Sequence, residues 1–402
     1  MDRAIATPLG GYVTAGFEPV RDVFAANFSD DVDVGAAFCA VVDGVVVVDL
    51  WGGWRDRGNR EPWTSDTLVN VYSCTKGLAA VAVAALVEAG ELDYDAPVRD
   101  VWPELSAASG GLSVSQLLSH QAGLCGVRAP LQVADLYDGN AMSRRLEREP
   151  PFWVPGTAAG YHAVTWGYLV GELVRRATGE SLGQAFRRRV AGPLAADVHI
   201  GLASAEHSRV ADLIGPNRAR RGRDAGDAAA GRETGPQDDR PRSPLHAVAL
   251  ANPLIRPYAD ACSASWRRAE IAASNGHATA RAIATIYGAL ARGGELGGAR
   301  ILRPETVAAL SEEVWGMDDD LVLGSPMRRG RGVNLNTRGE LGPTRAAFGH
   351  SGTGGSVGLA DPERRIGAGY VMNQLWEGAG PKSRSGRLLS CLYRCLDVSG
   401  MP

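Results

Sequence analysis

The stretch "VYSCTKGLAA", Val71 to Ala80, puts an alcohol and an amine at a spacing that suits proton transfer. Ser73 and Lys76 are three positions apart at the start of an Ala- and Leu-rich run, so on a helix their side chains share one face about one turn apart. A serine hydroxyl is a poor nucleophile until a base takes its proton, and a lysine amine becomes that base when its surroundings lower its pKa. Arginine cannot substitute, because a guanidinium does not deprotonate in proteins. The chain has only two lysines among its 42 basic residues, which gives this one a chemical reason to be there. The Ser73 N–H, in the unpaired first turn, could also form half of an oxyanion hole. On these residues alone a plainer assignment stays open: Ser73 caps the helix and Lys76 is a solvated side chain.

Two further stretches bear on that choice. In "PGTAAGYHAVTWGYLVGEL", Tyr161 follows a Pro-Gly loop and directly precedes a well-patterned helix. In "FGHSGTGG", His350-Ser351-Gly352 closes a β-run, and its small residues permit close approach of a substrate backbone. The order "SCTK", "YHA", "HSG" resembles the serine β-lactamase and penicillin-binding protein superfamily, most closely its class C-like branch of carboxylesterases and acyltransferases. "LLSHQAGL", "APLQVADL" and "ATIYGALARGGELGG" fit that branch too, and the resemblance runs from about Val34 to Gln374.

The resemblance implies that Ser73 is the acylated nucleophile, Lys76 its proton partner and Tyr161 a partner in general acid/base work. It places His350, Ser351 and Gly352 on the strand lining the cleft, with the Thr353 N–H as second oxyanion donor beside that of Ser73. Gln132 is similar to a substrate-contacting glutamine, although an ordinary loop amide fits it equally well. Ala163 stands where the second motif usually has asparagine, and His350 where the third usually has lysine. A neutral histidine there replaces a fixed cation facing a substrate carboxylate with a hydrogen-bond donor, which argues against efficient β-lactam turnover.

The reaction expected is two-step acyl transfer on a small-molecule ester or activated amide. Water as second nucleophile makes the protein a carboxylesterase, and an amine or alcohol makes it a transacylase. A β-lactamase, a D-alanyl peptidase or a non-catalytic acyl-binding sensor are the further alternatives. The G-x-S-x-G elbow fails at Thr353, and the seven histidines form no zinc motif, so neither metal nor cofactor is expected. His120, His162, Trp153 and Trp376 are read as structural or cleft-wall residues.

The elements that must hold these groups show a strand, helix cluster, strand pattern. "VGAAFCAVVDGVVVVDLWGG" reads as a hairpin turning at Asp43-Gly44, and "TRAAFGHSG", "GSVGLADP" and "RRIGAGYVMNQ" read as strands able to join it in one antiparallel sheet. Helices are expected over "SCTKGLAAVAVAALVEAG", "SVSQLLSHQAG", "TWGYLVGELVRRATG" and "TARAIATIYGALARGG", the second opened by a Ser113/Gln116 capping box. The fold class is therefore α/β (α+β). An antiparallel sheet lobe from residues 1–72 and 275–402 is flanked by helices, and a mostly helical lobe, 73–274, is inserted between its halves.

Residues 215–244, rich in Gly, Arg and Asp, read as a long exposed or disordered loop, either a lid or a tolerated insertion. With 45% hydrophobic and 22% charged residues and a net charge of −3, the composition offers no basic surface for nucleic acid. No apolar run reaches the ~20 residues that span a bilayer, and the N-terminal stretch lacks a secretory pattern, so no membrane partner and a cytoplasmic location are expected. The six scattered cysteines are expected to be reduced and packed, Cys391 and Cys395 on one helical face.

Overall fold

The computed structural model describes residues 7–29, 33–58, 60–105, 111–215, 243–375 and 383–399. Most of the 215–244 loop and Trp376 lie outside them.

Strand β1 (Leu9–Val13) and helix α1 (Glu18–Ser29) lead into β2 (Gly35–Val42) and β3 (Val45–Gly53). The β2–β3 turn has φ of +45° at Asp43 and +86° at Gly44, the positive pair a two-residue hairpin needs. β2 reads GAAFCAVV without polar alternation, and all eight residues are buried, as in a strand covered on both faces.

After β4 (Val69–Asn70) comes α2 (Cys74–Glu88), apolar around its circumference. Every residue from Cys74 to Leu86 is buried, Lys76 included, so α2 is a central helix. In α3 (Val114–Leu118) the expected capping box is formed: Ser113 Oγ accepts from the Gln116 N–H at 3.2 Å and Gln116 Oε1 from the Ser113 N–H at 3.0 Å. α4 (Gly139–Arg148) and α5 (Thr165–Thr178) follow, α5 ending at a left-handed Gly179 with φ of +76°.

β5 (Val198–Ile200) and β6 (Gly276–Ala278) join β4 in a small sheet of order β4-β6-β5. Thr279 caps α6 (Ala280–Ala291), accepting from the Ala282 N–H at 3.1 Å. β7 (Glu295–Leu296) and β8 (Ala299–Arg300) form a short hairpin. The remaining strands are β9 (Trp315–Met317), β10 (Met327–Arg329), β11 (Asn334–Leu335), β12 (Phe348–Ser351), β13 (Val357–Asp361) and β14 (Ile366–Met372), and α7 (Arg384–Ser399) follows them.

The main sheet has nine strands in the order β1-β3-β2-β14-β13-β12-β11-β10-β9. The two ends of the chain meet where β14 runs antiparallel to β2, from Ile366↔Val42 to Met372↔Ala36. α6 lies across β14 and β2, while α1 packs on α7 and β3. β9 to β11, too short to show a period of two, extend the sheet beyond what the sequence predicts.

All six cysteines are free; five are buried and Cys262 is half-buried, with Cys391 and Cys395 both turned inward on α7. Among the described residues no helix is long and apolar enough to cross a membrane, and no group of three or more His, Cys, Asp or Glu side chains could hold a metal ion.

Candidate active site

The approach to Ser73 is strained. Tyr72 has φ of +46°, a left-handed conformation uncommon for an aromatic residue. It is held by Thr75 Oγ1, which donates to the Tyr72 carbonyl at 2.5 Å and accepts from the Gly276 N–H at 2.8 Å. Ser73 itself is helical, at φ −67° and ψ −9°, and its side chain makes no capping bond. The capping assignment therefore gives way: Oγ accepts instead from the Tyr161 hydroxyl at 2.7 Å and lies 3.3 Å from Lys76 Nζ.

Lys76 is fully buried, and Nζ makes two more hydrogen bonds, to the Ala163 carbonyl at 2.7 Å and the Ala273 carbonyl at 3.0 Å. Carbonyls only accept, so each takes one N–H. A neutral amine then has its lone pair left for the Ser73 hydroxyl. Burial holds the Lys76 pKa well below its ordinary value, and the Arg329 cation adds to the effect. Position 163 reaches the lysine through its main-chain carbonyl, a contact in which the alanine side chain takes no part.

Tyr161 is 8% exposed, and burial pushes its phenol up to about 12. It is therefore a neutral phenol that donates to Ser73 at ordinary pH. Its ring packs with Cys125, Ala163 and Val322, against a partly buried Trp153. Its N–H donates to Asp320 Oδ1 at 3.0 Å.

The third stretch reaches the same place from β12. Cys74 Sγ donates to the His350 carbonyl at 3.1 Å, and Ser356 Oγ donates to the Val71 carbonyl at 2.9 Å. Here one expectation is corrected. A Cβ on Gly352 would lie 2.1 Å from the Val71 carbonyl oxygen, so the glycine admits the protein's own backbone beside Ser73 rather than a substrate's. Gly77 makes room for a side chain instead, since its Cβ would sit 2.3 Å from the Tyr287 hydroxyl. Neither the Ser73 nor the Thr353 N–H donates a hydrogen bond among the described residues.

His350 needs a second correction. Its ring is buried, and Nδ1 lies 2.7 Å from the Ser351 carbonyl, which can only accept, so Nδ1 carries the hydrogen and Nε2 is left an unpartnered acceptor. Burial lowers its pKa to about 3. The ring presents no donor to a ligand. Ser351 and Thr353 are exposed, as is Gln132, whose N–H donates to Asp135 at 2.7 Å. Among the described residues no hydrogen bond joins Gln132 to Ser73, Lys76 or Tyr161.

His120 and His162 are structural. His162 Nδ1 lies 2.6 Å from the Gly160 carbonyl, its Nε2 accepts from the Leu124 N–H at 3.1 Å, and its own N–H donates to His120 Nδ1 at 3.0 Å. Burial lowers His162 to about 4 and His277, on β6, to about 3. Folded values below the unfolded ~6.5 mean that the unfolded chain binds more protons between pH 6.5 and about 4. Stability is therefore kept above pH 6.5 and lost as the pH falls through that window. Between pH 7 and 5.5 each of His162, His277 and His350 is expected to cost about 1 kcal/mol, read as a falling urea midpoint. His277→Gln should flatten that fall, and an unchanged slope would contradict the assignment.

Sequence reasoning missed Asp320, Arg329 and the Ala273 carbonyl. Asp320 and Arg329 sit in charged runs, "MDDD" and "MRRGRG", that read as solvated surface, and Ala273 carries no side-chain signal.

Residues 24–389 match the family described as Beta-lactamase. The chain is 37% identical over 380 residues to the Esterase/beta-lactamase LipL of Mycobacterium tuberculosis (strain ATCC 25618 / H37Rv), covering 89% of this chain and 81% of that protein. The crystal structure of a family VIII carboxylesterase superposes with a TM-score of 0.87 at 42% identity, covering 97% of this chain and all of that one (100%). A penicillin-binding protein homologue from Caulobacter crescentus gives 0.86 at 40% identity, with the same coverage of 97% and 100%.

Proposed function

We infer, from a chain that belongs to the β-lactamase family and is a serine hydrolase of that superfamily, that it is a carboxylesterase working through Ser73, Lys76 and Tyr161 on a small uncharged ester. The observation that carries this reading is the desolvated amine of Lys76, its two other contacts taken by carbonyls, 3.3 Å from a hydroxyl that Tyr161 also reaches. Lys76 accepts the Ser73 proton as Oγ bonds to the ester carbonyl carbon, and the carbonyl electron pair moves to oxygen. The N–H groups of Ser73 and Thr353 are the donors proposed to hold that oxyanion. When it collapses, the bond to the leaving oxygen breaks and Tyr161 gives that oxygen its proton. The Lys76 ammonium then returns one to the phenol. Water adds to the acyl-enzyme by the same steps in reverse roles.

Preference for an uncharged substrate follows from His350. A buried, neutral ring cannot supply the fixed charge that draws a substrate carboxylate. Transfer to an amine or alcohol would use the same acyl-enzyme, so the two outcomes are separated by the acceptor. The test is purified protein with an aryl ester, with and without added amines, followed by product mass. The expected result is turnover to the free acid with little amide. Faster decay with an amide product would make it a transacylase, and a permanent 1:1 adduct without turnover would make it an acyl-binding sensor.

A further inference from the structure

The catalytic cluster stands on a buried ion pair that the mechanism above does not use. Arg329 ends β10 and Asp320 lies in the loop between β9 and β10; their side chains are 1% and 0% exposed, and Arg329 Nη2 meets Asp320 Oδ2 at 2.6 Å. A buried pair needs its remaining polar sites satisfied if it is to be more than a cost to stability. The second oxygen of Asp320 has three backbone donors: the N–H groups of Tyr161 at 3.0 Å, Val322 at 2.9 Å and Leu323 at 2.9 Å. Asp320 therefore ties the main chain of Tyr161 to β10 across 159 positions of sequence.

Arg329 is less completely matched. Nη1 reaches Asn334 Oδ1 at 3.3 Å, while Nε is buried without a partner. Its guanidinium carbon is 5.4 Å from the Tyr161 ring centroid, and Lys76 Nζ is 4.8 Å from the same centroid. The two basic groups are therefore no more than about 10 Å apart, with little water between them to screen the field.

We propose that Arg329 is a positioning residue for catalysis: held by Asp320 beside the Tyr161 ring, it is the permanent cation whose field keeps Lys76 in its amine form. The inference rests on Lys76 acting as the base. The other ionisable groups around Lys76 do not supply that field. Cys74 on α2 and Tyr287 on α6 are buried and neutral, their pKa values raised by burial, and Tyr161 is a neutral phenol. His120, His162 and His350 are buried with lowered pKa values, hence uncharged at neutral pH. Asp320 is the one carboxylate in the group; its charge opposes that of Arg329 at Tyr161 and His162, while at Lys76 the cation prevails.

Arg329 contributes to lowering Lys76, His120, His162 and His350 alike, as expected of one central charge. An amine at 76 that must be neutral to work gains from a neighbour that penalises its protonation.

The test is the pH dependence of kcat/KM for an aryl ester. Wild-type activity should fall on the acid side as Lys76 takes a proton. Arg329→Met should move that limb up by about one pH unit, because protonation of Lys76 no longer meets a like charge. Arg329→Lys retains the charge and should bring the limb back toward its wild-type position. Asp320→Asn combined with Arg329→Met keeps an oxygen for the Tyr161 N–H while removing both charges. That double variant should show the raised limb and takes the place of Arg329→Met if the single variant does not fold. A limb that stays put in a folded, active variant lacking Arg329 overturns the proposal, as does one displaced equally by lysine and methionine, which would mean packing and not charge. If the wild type turns over no ester, or shows no acid limb, the assignment of Lys76 as base fails first and takes this inference with it.

Discussion

Lys76→Arg is expected to lower kcat/KM for an aryl ester by roughly 10³- to 10⁴-fold, close to the level left by Ser73→Ala. Charge is not what the position requires. An arginine at 76 keeps a cation but has no accessible neutral form, so the Ser73 proton has no acceptor. The site also leaves the guanidinium no room to improvise. Lys76 is fully buried, and its two carbonyl partners, at 2.7 and 3.0 Å, are placed for a single nitrogen. Lys76→Met separates the two effects, since it fits the slot and has no base. Both variants should keep the circular dichroism spectrum of the parent, and intact mass after mixing with substrate should show no acyl adduct on the minutes scale. A Lys76→Arg enzyme within tenfold of wild type would remove the proton-transfer role from this residue.

The parts of this arrangement visible in sequence are the local ones. Ser73 and Lys76 are legible because a helix brings residues three apart onto one face, and the capping box ahead of α3 because Ser113 and Gln116 meet within one turn. The hairpin at Asp43-Gly44 is legible for the same reason: the turn's φ values are a property of two neighbouring residues. Pairing of β14 with β2 is foreseeable as an apolar sheet shared by both chain ends, but not its register, which depends on contacts across more than 300 positions.

The misreadings are of contacts closed elsewhere in the chain. Asp320 and Arg329 bury each other, and charge alone gives no sign of that. His350 looks like a donor for substrate until its Nδ1 is seen turned onto the Ser351 carbonyl. Gly352 looks like room for a ligand until the Val71 carbonyl is found against it.

Tyr161→Phe should separate substrates by their leaving groups. The variant keeps the ring, so packing against Val322 and Trp153 survives, and the loss is one hydroxyl 2.7 Å from Ser73 Oγ. With its phenol near 12, Tyr161 at neutral pH holds a proton to give as the leaving oxygen departs. An alkyl ester expels an alkoxide, a far stronger base than a phenolate, and needs that proton as its bond breaks. A nitrophenyl ester expels a stable anion and needs none.

The expected loss is therefore roughly 10²- to 10³-fold in kcat/KM for an alkyl ester but about tenfold for the nitrophenyl ester of the same acid, in the usual range for one general acid. Equal losses on both would show that the hydroxyl only orients Ser73. A larger loss on the nitrophenyl ester would make Tyr161 part of the base that activates the nucleophile, and Lys76 would then be its electrostatic support.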